Sequence, residues 1–198
     1  MGVYSALQWW HHHIRNHANV FKLINSQMKR RFAYIFPNHV GHPGLAIKYF
    51  GQLAAFRKKY SVKSVCLRGA STGGMLKKLA VYLYLEWCSL CAMRSSEIIY
   101  VRYNPKLLIT NFLLPYLKDK SIYLEINTIF EHELKLLNRP VERRLNAFFM
   151  SHMNLSRHIT YVGVTQQIQQ DMIDRYGADQ SCTRFIQNGY DGAVAKLG

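Results

Sequence analysis

Acidic side chains are scarce in this chain: 11 Asp and Glu stand against 26 Lys and Arg, a formal charge of +15 over 198 residues. That balance favours anionic partners, whether nucleic acid, phosphorylated ligands or an acidic membrane surface, and does not choose among them. Proline is also sparse, with 5, beside a hydrophobic fraction of 49%. Such a composition excludes a disordered chain and predicts a globular domain with a full core. No internal period is present, which excludes a repeat architecture. No apolar run is long enough to cross a bilayer: the longest, residues 79–92, is interrupted by Glu86, whereas a span takes about 20 residues. The first thirty residues hold no apolar segment ahead of a small-residue cleavage site, so no secretory signal is expected.

Cysteine is limited to Cys66, Cys88, Cys91 and Cys182. Cys88 and Cys91 form a C-x-x-C with no second pair and no suitably spaced histidine, so a zinc site is not expected. Core packing, reduced thiols and a cytoplasmic setting follow instead. The basic residues come in short scattered groups, such as Arg57, Lys58 and Lys59, or Lys77 and Lys78. Without a long basic tail or a groove-reading or base-stacking motif, no nucleic-acid partner is expected.

Residues 1–29 read as an amphipathic helical extension. Trp10, Ile14, His17, Phe21, Ile24 and Met28 recur at steps of four and three, which puts them on one face. That face either packs on the domain behind it or lies on a membrane, with Trp9 and Trp10 at the headgroup level. His11, His12 and His13 diverge around a helix and cannot converge on one metal ion.

From residue 30 onward, strands and helices alternate. Residues 32–36 are continuously apolar, as a strand buried on both faces should be. A loop over 37–44 leads to a helix over 45–60. A strand at 62–67, a loop at 69–74 and a helix to about 93 come next. Residues 97–102 form a strand, and Pro105 is placed to open a helix. A strand at 121–126 is followed by an irregular stretch and a long helix from 140 to about 155. A strand at 158–164, a helix at 166–176 closed by Gly177, and a strand at 183–187 complete the pattern. Alternation at this spacing predicts an α/β, doubly wound, mostly parallel sheet with helices on both faces. Ligands of such sheets bind beyond the carboxyl ends of the strands, at a topological switch point.

Three stretches carry a family resemblance: Tyr161, Val162, Gly163, Val164 and Thr165 with the helix after them; Asn188, Gly189, Tyr190 and Asp191; and Tyr100 to Tyr103 with Glu125, Ile126 and Asn127 some twenty residues on. In order and spacing, residues 31–191 resemble the amino-terminal, Rossmann-like domain of GT-B glycosyltransferases, specifically the large retaining family 4 group. The first loop departs from that pattern, with Gly41, His42, Pro43 and Gly44 in place of an adjacent glycine pair.

The resemblance implies a sugar transferase of surface-polysaccharide or glycolipid assembly. Such an enzyme takes a nucleotide-sugar donor and a sugar or lipid-phosphate acceptor, and needs no metal or other cofactor. It also implies a peripheral position at the inner membrane face. The donor would be held mainly by a second domain after the turn at residues 188–191, with residues 192–198 beginning the linker. The chain by itself is then expected to be inactive. The alternative is a non-catalytic Rossmann-like module that binds an anionic lipid, a nucleotide or a partner subunit.

Candidate substrate-binding residues follow from the strand ends. Asn38, His39, Gly41, His42 and Gly44 occupy the first loop, where glycine permits close backbone approach and histidine offers a hydrogen bond. The same residues also suit an ordinary turn before a helix. Arg102 and Tyr103 end the third strand; the arginine either meets an acceptor phosphate or pairs with a neighbour. Glu125 and Asn127 straddle the next strand end, where Glu125 either orients an acceptor hydroxyl or pairs with Arg102. Thr165 is placed to cap its helix. Asn188, Gly189 and Asp191 form the expected hinge turn. Arg139, Arg143 and Arg144 read as a solvated helix face.

Overall fold

The computed structural model describes residues 29–39, 43–67, 74–154 and 156–186. The chain divides into two compact units, residues 1–30 and 31–198, and nearly all described residues belong to the second. The helical extension, Gly41, His42 and the hinge residues Asn188, Gly189 and Asp191 lie outside the described residues.

Six strands form one sheet: β1 (Arg31–His39), β2 (Ser61–Leu67), β3 (Ile98–Arg102), β4 (Ser121–Ile126), β5 (Ile159–Gly163) and β6 (Thr183–Phe185). Their order across the sheet is β2-β1-β3-β4-β5-β6, and every pairing is parallel. The connecting helices are α1 (Pro43–Lys59), α2 (Met75–Arg94), α3 (Leu108–Leu113), α4 (Phe130–Leu136), α5 (Pro140–Asn154) and α6 (Gln166–Tyr176). The domain is therefore a doubly wound, Rossmann-like α/β fold.

Direction of travel places the helices. The step from β1 to β2 runs one way across the sheet and every later step runs the other, so right-handed crossovers put α1 alone on one face. The core divides accordingly. On the α1 face Phe32, Tyr34, Phe36 and Tyr100 of the strands meet Tyr49 and Leu53, with the Tyr34 and Tyr49 rings stacked at 5.4 Å. On the other face Ala33, Ile35, Ile99, Val101, Leu124 and Tyr161 pack against Leu85 and Met93 of α2, Phe149 and Met153 of α5, and Met172 of α6. Strands covered on both sides lose the polar alternation of half-exposed ones, and all five residues of β3 are buried.

Three differences from the expected element boundaries bear on how the strand ends are built. β1 runs on through Pro37 to His39 rather than ending at Phe36. Its pairing with β3 stops at Ile35, and its register against β2 shifts between Phe36 and His39, so the missing proline N–H interrupts no ladder bond. Pro105 does not open α3, which starts at Leu108. Asn104 holds a turn first, its Oδ1 accepting from the Lys106 N–H at 3.0 Å. The stretch expected to be irregular contains α4. By contrast α6 begins and ends where expected: Thr165 Oγ1 accepts from the Ile168 N–H at 3.1 Å, and Gly177 closes the helix at φ 68°.

The α3 amino terminus is capped from a distance. Glu86, buried on α2, accepts from the Ile109 and Thr110 N–H groups at 3.0 Å each and from the Thr110 hydroxyl at 2.5 Å. This satisfies donors that a helix start otherwise leaves open. The C-x-x-C on α2 departs from the expected core packing: Cys88 is half-buried and Cys91 is exposed.

Gly163 illustrates a position set by packing. A Cβ there would stand 3.0 Å from the Gln169 amide nitrogen and 3.2 Å from the Thr165 carbonyl oxygen. Gly163→Ala should cost about 1–3 kcal/mol, because backbone cannot give way as a side-chain tip can. Gly51→Ala, in mid-helix with nothing within 4 Å, should instead gain about 0.5–1 kcal/mol. Urea unfolding of both variants tests the contrast in sign.

Candidate functional site

The switch point of this sheet lies between β1 and β3, where the chain's direction of travel reverses. A cleft of about 360 Å³ opens there, lined by Asn38 near the end of β1, Arg102 at the end of β3 with Tyr103 and Asn104 after it, and Asn127 and Thr128 after β4. Lys106, Glu133, Arg139 and Glu142 line it as well. The position follows from strand order: β1 and β3 are neighbours whose following segments leave to opposite faces, so no connection covers the gap between them.

Beneath the cleft is a charged cluster built around Glu125, whose side chain is 1% exposed. Lys48 Nζ of α1 stands 2.8 Å from Glu125 Oε1. Gln52, one turn along the same helix face, donates to Oε2 at 3.1 Å, and the Tyr100 hydroxyl donates to Oε2 at 2.7 Å. Tyr34 supports the arrangement by donating to Gln52 Oε1 at 2.5 Å. Burial raises the carboxyl pKa, but the Lys48 ammonium and the Tyr100 and Gln52 hydrogen bonds outweigh it, and the net shift is downward. Glu125 is thus a fixed anion. Burial, with Glu125 nearby, pushes the Tyr34 and Tyr100 phenols upward, so both remain donors.

Arg102 is bonded quite differently. Its Nε stands 4.0 Å from Glu125 Oε1, in a side chain only 9% exposed, and its guanidinium lies 4.7 Å over the Phe36 ring. Its buried Nε and Nη1 have no hydrogen-bond partner. Burial lowers the Arg102 pKa while Glu125 opposes the shift, yet an arginine stays protonated in proteins. The result is a desolvated cation with unmade hydrogen bonds, lining a cleft. Buried donors are ordinarily satisfied, so Arg102 stands out among the residues that line the cleft.

The expected site residues separate into groups. Asn38, Arg102, Tyr103 and Asn127 come together on the cleft. The Tyr103 hydroxyl is committed to Asn146 Oδ1 at 3.1 Å, and its ring meets Phe130 edge-on at 5.2 Å, so it forms a wall. Asn127 Oδ1 accepts from Lys48 Nζ at 3.4 Å, which ties the rim to the buried cluster. Glu125 does not line the cleft and meets it only through Arg102, whose Nε is 4.0 Å from Glu125 Oε1. His39 ends β1, while Gly44 belongs to the first turn of α1 rather than to the loop. Thr165 is exposed and caps α6, away from the cleft lining.

Several residues escaped the sequence reading. Lys48 and Gln52 are four apart on α1, a spacing that places two polar groups on one helix face, but nothing local distinguishes them from solvated positions. Arg139 lines the cleft rather than a purely solvated helix face, and both Arg139 and Lys106 pair with Glu142, at 3.3 and 3.4 Å. These two rim cations thus share one carboxylate, as Lys48 and Arg102 share Glu125. Among the described residues no three metal-ligating side chains converge.

One cationic guanidinium, amides from three strand ends and a flat aromatic wall suit a ligand with one anionic group and several hydroxyls. No protein-family model matches the chain, and no curated protein matches it.

Proposed function

We propose that this chain is the acceptor-side domain of a GT-B glycosyltransferase resembling retaining family 4, and that its cleft holds a sugar or lipid-phosphate acceptor. The observation that carries the reading is Arg102, a nearly buried cation that lines a cleft at the sheet's switch point and whose Nε and Nη1 have no partner within the protein. The order of Tyr161 to Thr165, Glu125 to Asn127, and the turn at 188–191 supports the family assignment. The donor, a nucleotide-sugar, would be held mainly by the second domain that family members carry after that turn. The basic charge of +15 suits an acceptor on a phosphorylated lipid and a peripheral place at an anionic membrane face. No helix among the described residues is long and apolar enough to cross a membrane.

Titration followed by NMR tests the reading. N-acetylglucosamine 1-phosphate and a short-chain polyprenyl phosphate should each bind saturably and shift the amides of Asn38, Tyr103 and Asn127. Inorganic phosphate should bind the same place more weakly, lacking the hydroxyls that reach the rim amides. Absence of any saturable shift overturns the acceptor reading. Saturation by a free nucleoside diphosphate, with none by sugar phosphates, would favour the non-catalytic module.

A further inference from the structure

Helix α4 turns one side to the cleft. Phe130, Glu133 and Leu134, with Leu137 at the helix end, all line it. Residues spaced by three, four and seven share a single helix face, and three of these four are apolar. Glu131 and His132 are engaged elsewhere: Glu131 pairs with Arg143 at 3.5 Å, and the His132 ring lies 3.3 Å from Arg175. Glu133 is thus a carboxylate on the face where the helix otherwise carries hydrophobic groups.

Its bonding is as unusual as its place. Among the described residues, every other aspartate and glutamate accepts a hydrogen bond or forms an ion pair. Glu133 does neither, in a chain where 26 basic residues stand against 11 acidic ones. Glu142, on the same cleft, instead takes two cations, Lys106 at 3.4 Å and Arg139 at 3.3 Å. An acidic residue in the first turn also favours its helix. That accounts for a carboxylate near the start of α4, which Glu131 already supplies, but not for one on the cleft face.

We infer that Glu133 is a specificity-determining residue of the cleft, selecting an anion that carries hydroxyl groups over a bare phosphate. This role rests on the acceptor reading of the cleft. A carboxylate only accepts hydrogen bonds, through two oxygens that two neighbouring hydroxyls can reach together. At about 360 Å³ the cleft is small enough for one sugar phosphate to touch both Arg102 and α4. Charge sets the direction: the phosphate turns toward the guanidinium and the hydroxyls toward Glu133. A phosphate without hydroxyls meets the same carboxylate only as a like charge, which repels it.

Isothermal titration of the full chain at fixed ionic strength tests the role, comparing N-acetylglucosamine 1-phosphate with methyl phosphate, a monoester without hydroxyls. Wild type should prefer the sugar phosphate. Glu133→Ala should weaken the sugar phosphate about tenfold, the scale of hydrogen bonds to a charged group, and tighten methyl phosphate about twofold. Glu133→Gln, uncharged but still an acceptor, should give the same gain with methyl phosphate and a smaller loss with the sugar. Both variants should melt close to wild type, because Glu133 is exposed. Asp119→Asn removes an equal charge from an exposed side chain ahead of β4, at the other end of the sheet. It should leave the ratio of the two affinities unchanged. A role confined to helix stability would move the melting temperature and not that ratio. Binding of both ligands with an unaltered ratio in Glu133→Ala overturns the proposed role and leaves the acceptor reading standing, as does an equal change from Asp119→Asn. Failure of wild type to bind either phosphate saturably overturns the acceptor reading, and this role with it.

Discussion

Replacing Glu125 by glutamine should lower the stability of the folded domain by about 3 kcal/mol, the range for breaking a buried ion pair by removing one partner. Lys48 would lose the carboxylate 2.8 Å away, and Arg102 its nearest counter-charge. The same change should flatten the acid side of the pH–stability profile. Glu125 has a folded pKa below its ordinary value of 4.5, so its ionised form stabilises the fold above that value. The contribution fades as pH falls through the depressed folded value. Urea denaturation between about pH 3 and pH 7 should show wild type losing stability toward acid more steeply than the variant. Lys48→Met should also destabilise, and the double variant should cost less than the two single losses together, because the two side chains act on each other. A Glu125→Gln midpoint equal to wild type at neutral pH would mean that the cluster contributes nothing net.

Replacing Arg102 by alanine should reduce affinity for N-acetylglucosamine 1-phosphate about a hundredfold. A charge-assisted bidentate contact is roughly twice as strong as a neutral one, and removing one partner of a buried charged contact typically costs about 2–5 kcal/mol. Truncation also removes a nearly buried side chain that packs on Phe36 and faces Glu125, so some loss of stability accompanies it, and urea unfolding separates that loss from the loss of binding. Arg102→Lys should retain charge but lose the planar fork and the packing on Phe36, leaving about a tenfold deficit. Isothermal titration of the three proteins resolves the order. Equal affinities for wild type and Arg102→Ala would place the phosphate elsewhere and remove the main support for the acceptor reading.

The layout of the sheet was legible because its central strands β1 and β3 are covered on both faces. Residues 32–36 and 98–101 carry unbroken apolar runs, and helix-period segments separate them. The α6 boundaries were legible for a local reason: a threonine cap and a left-handed glycine are side-chain and backbone requirements visible at one position. The start of α3 was not, since its cap is Glu86, more than twenty residues earlier on another helix. Arg102 could be placed at a strand end from sequence, but whether it was satisfied could not. That depends on Lys48 occupying the near oxygen of Glu125, a contact made only when α1 folds back over the sheet. Side chains with local jobs are readable in order along the chain. Clusters assembled across the switch point are not.

The position of β1 between β2 and β3 also governs the order in which the domain can form. One edge of β1 closes on β2, reached through α1, while its other edge must wait for Ile98 and the residues after it. A chain emerging from the ribosome therefore holds a two-stranded unit with an open apolar edge until β3 is made. No hairpin can shelter that edge, because every pairing in the sheet is parallel. Long-range parallel pairing makes folding slow and leaves partly built sheets prone to association. Folding yield should thus depend on what occupies the β3 edge of β1 during synthesis, more than on the strength of any single contact in the finished core.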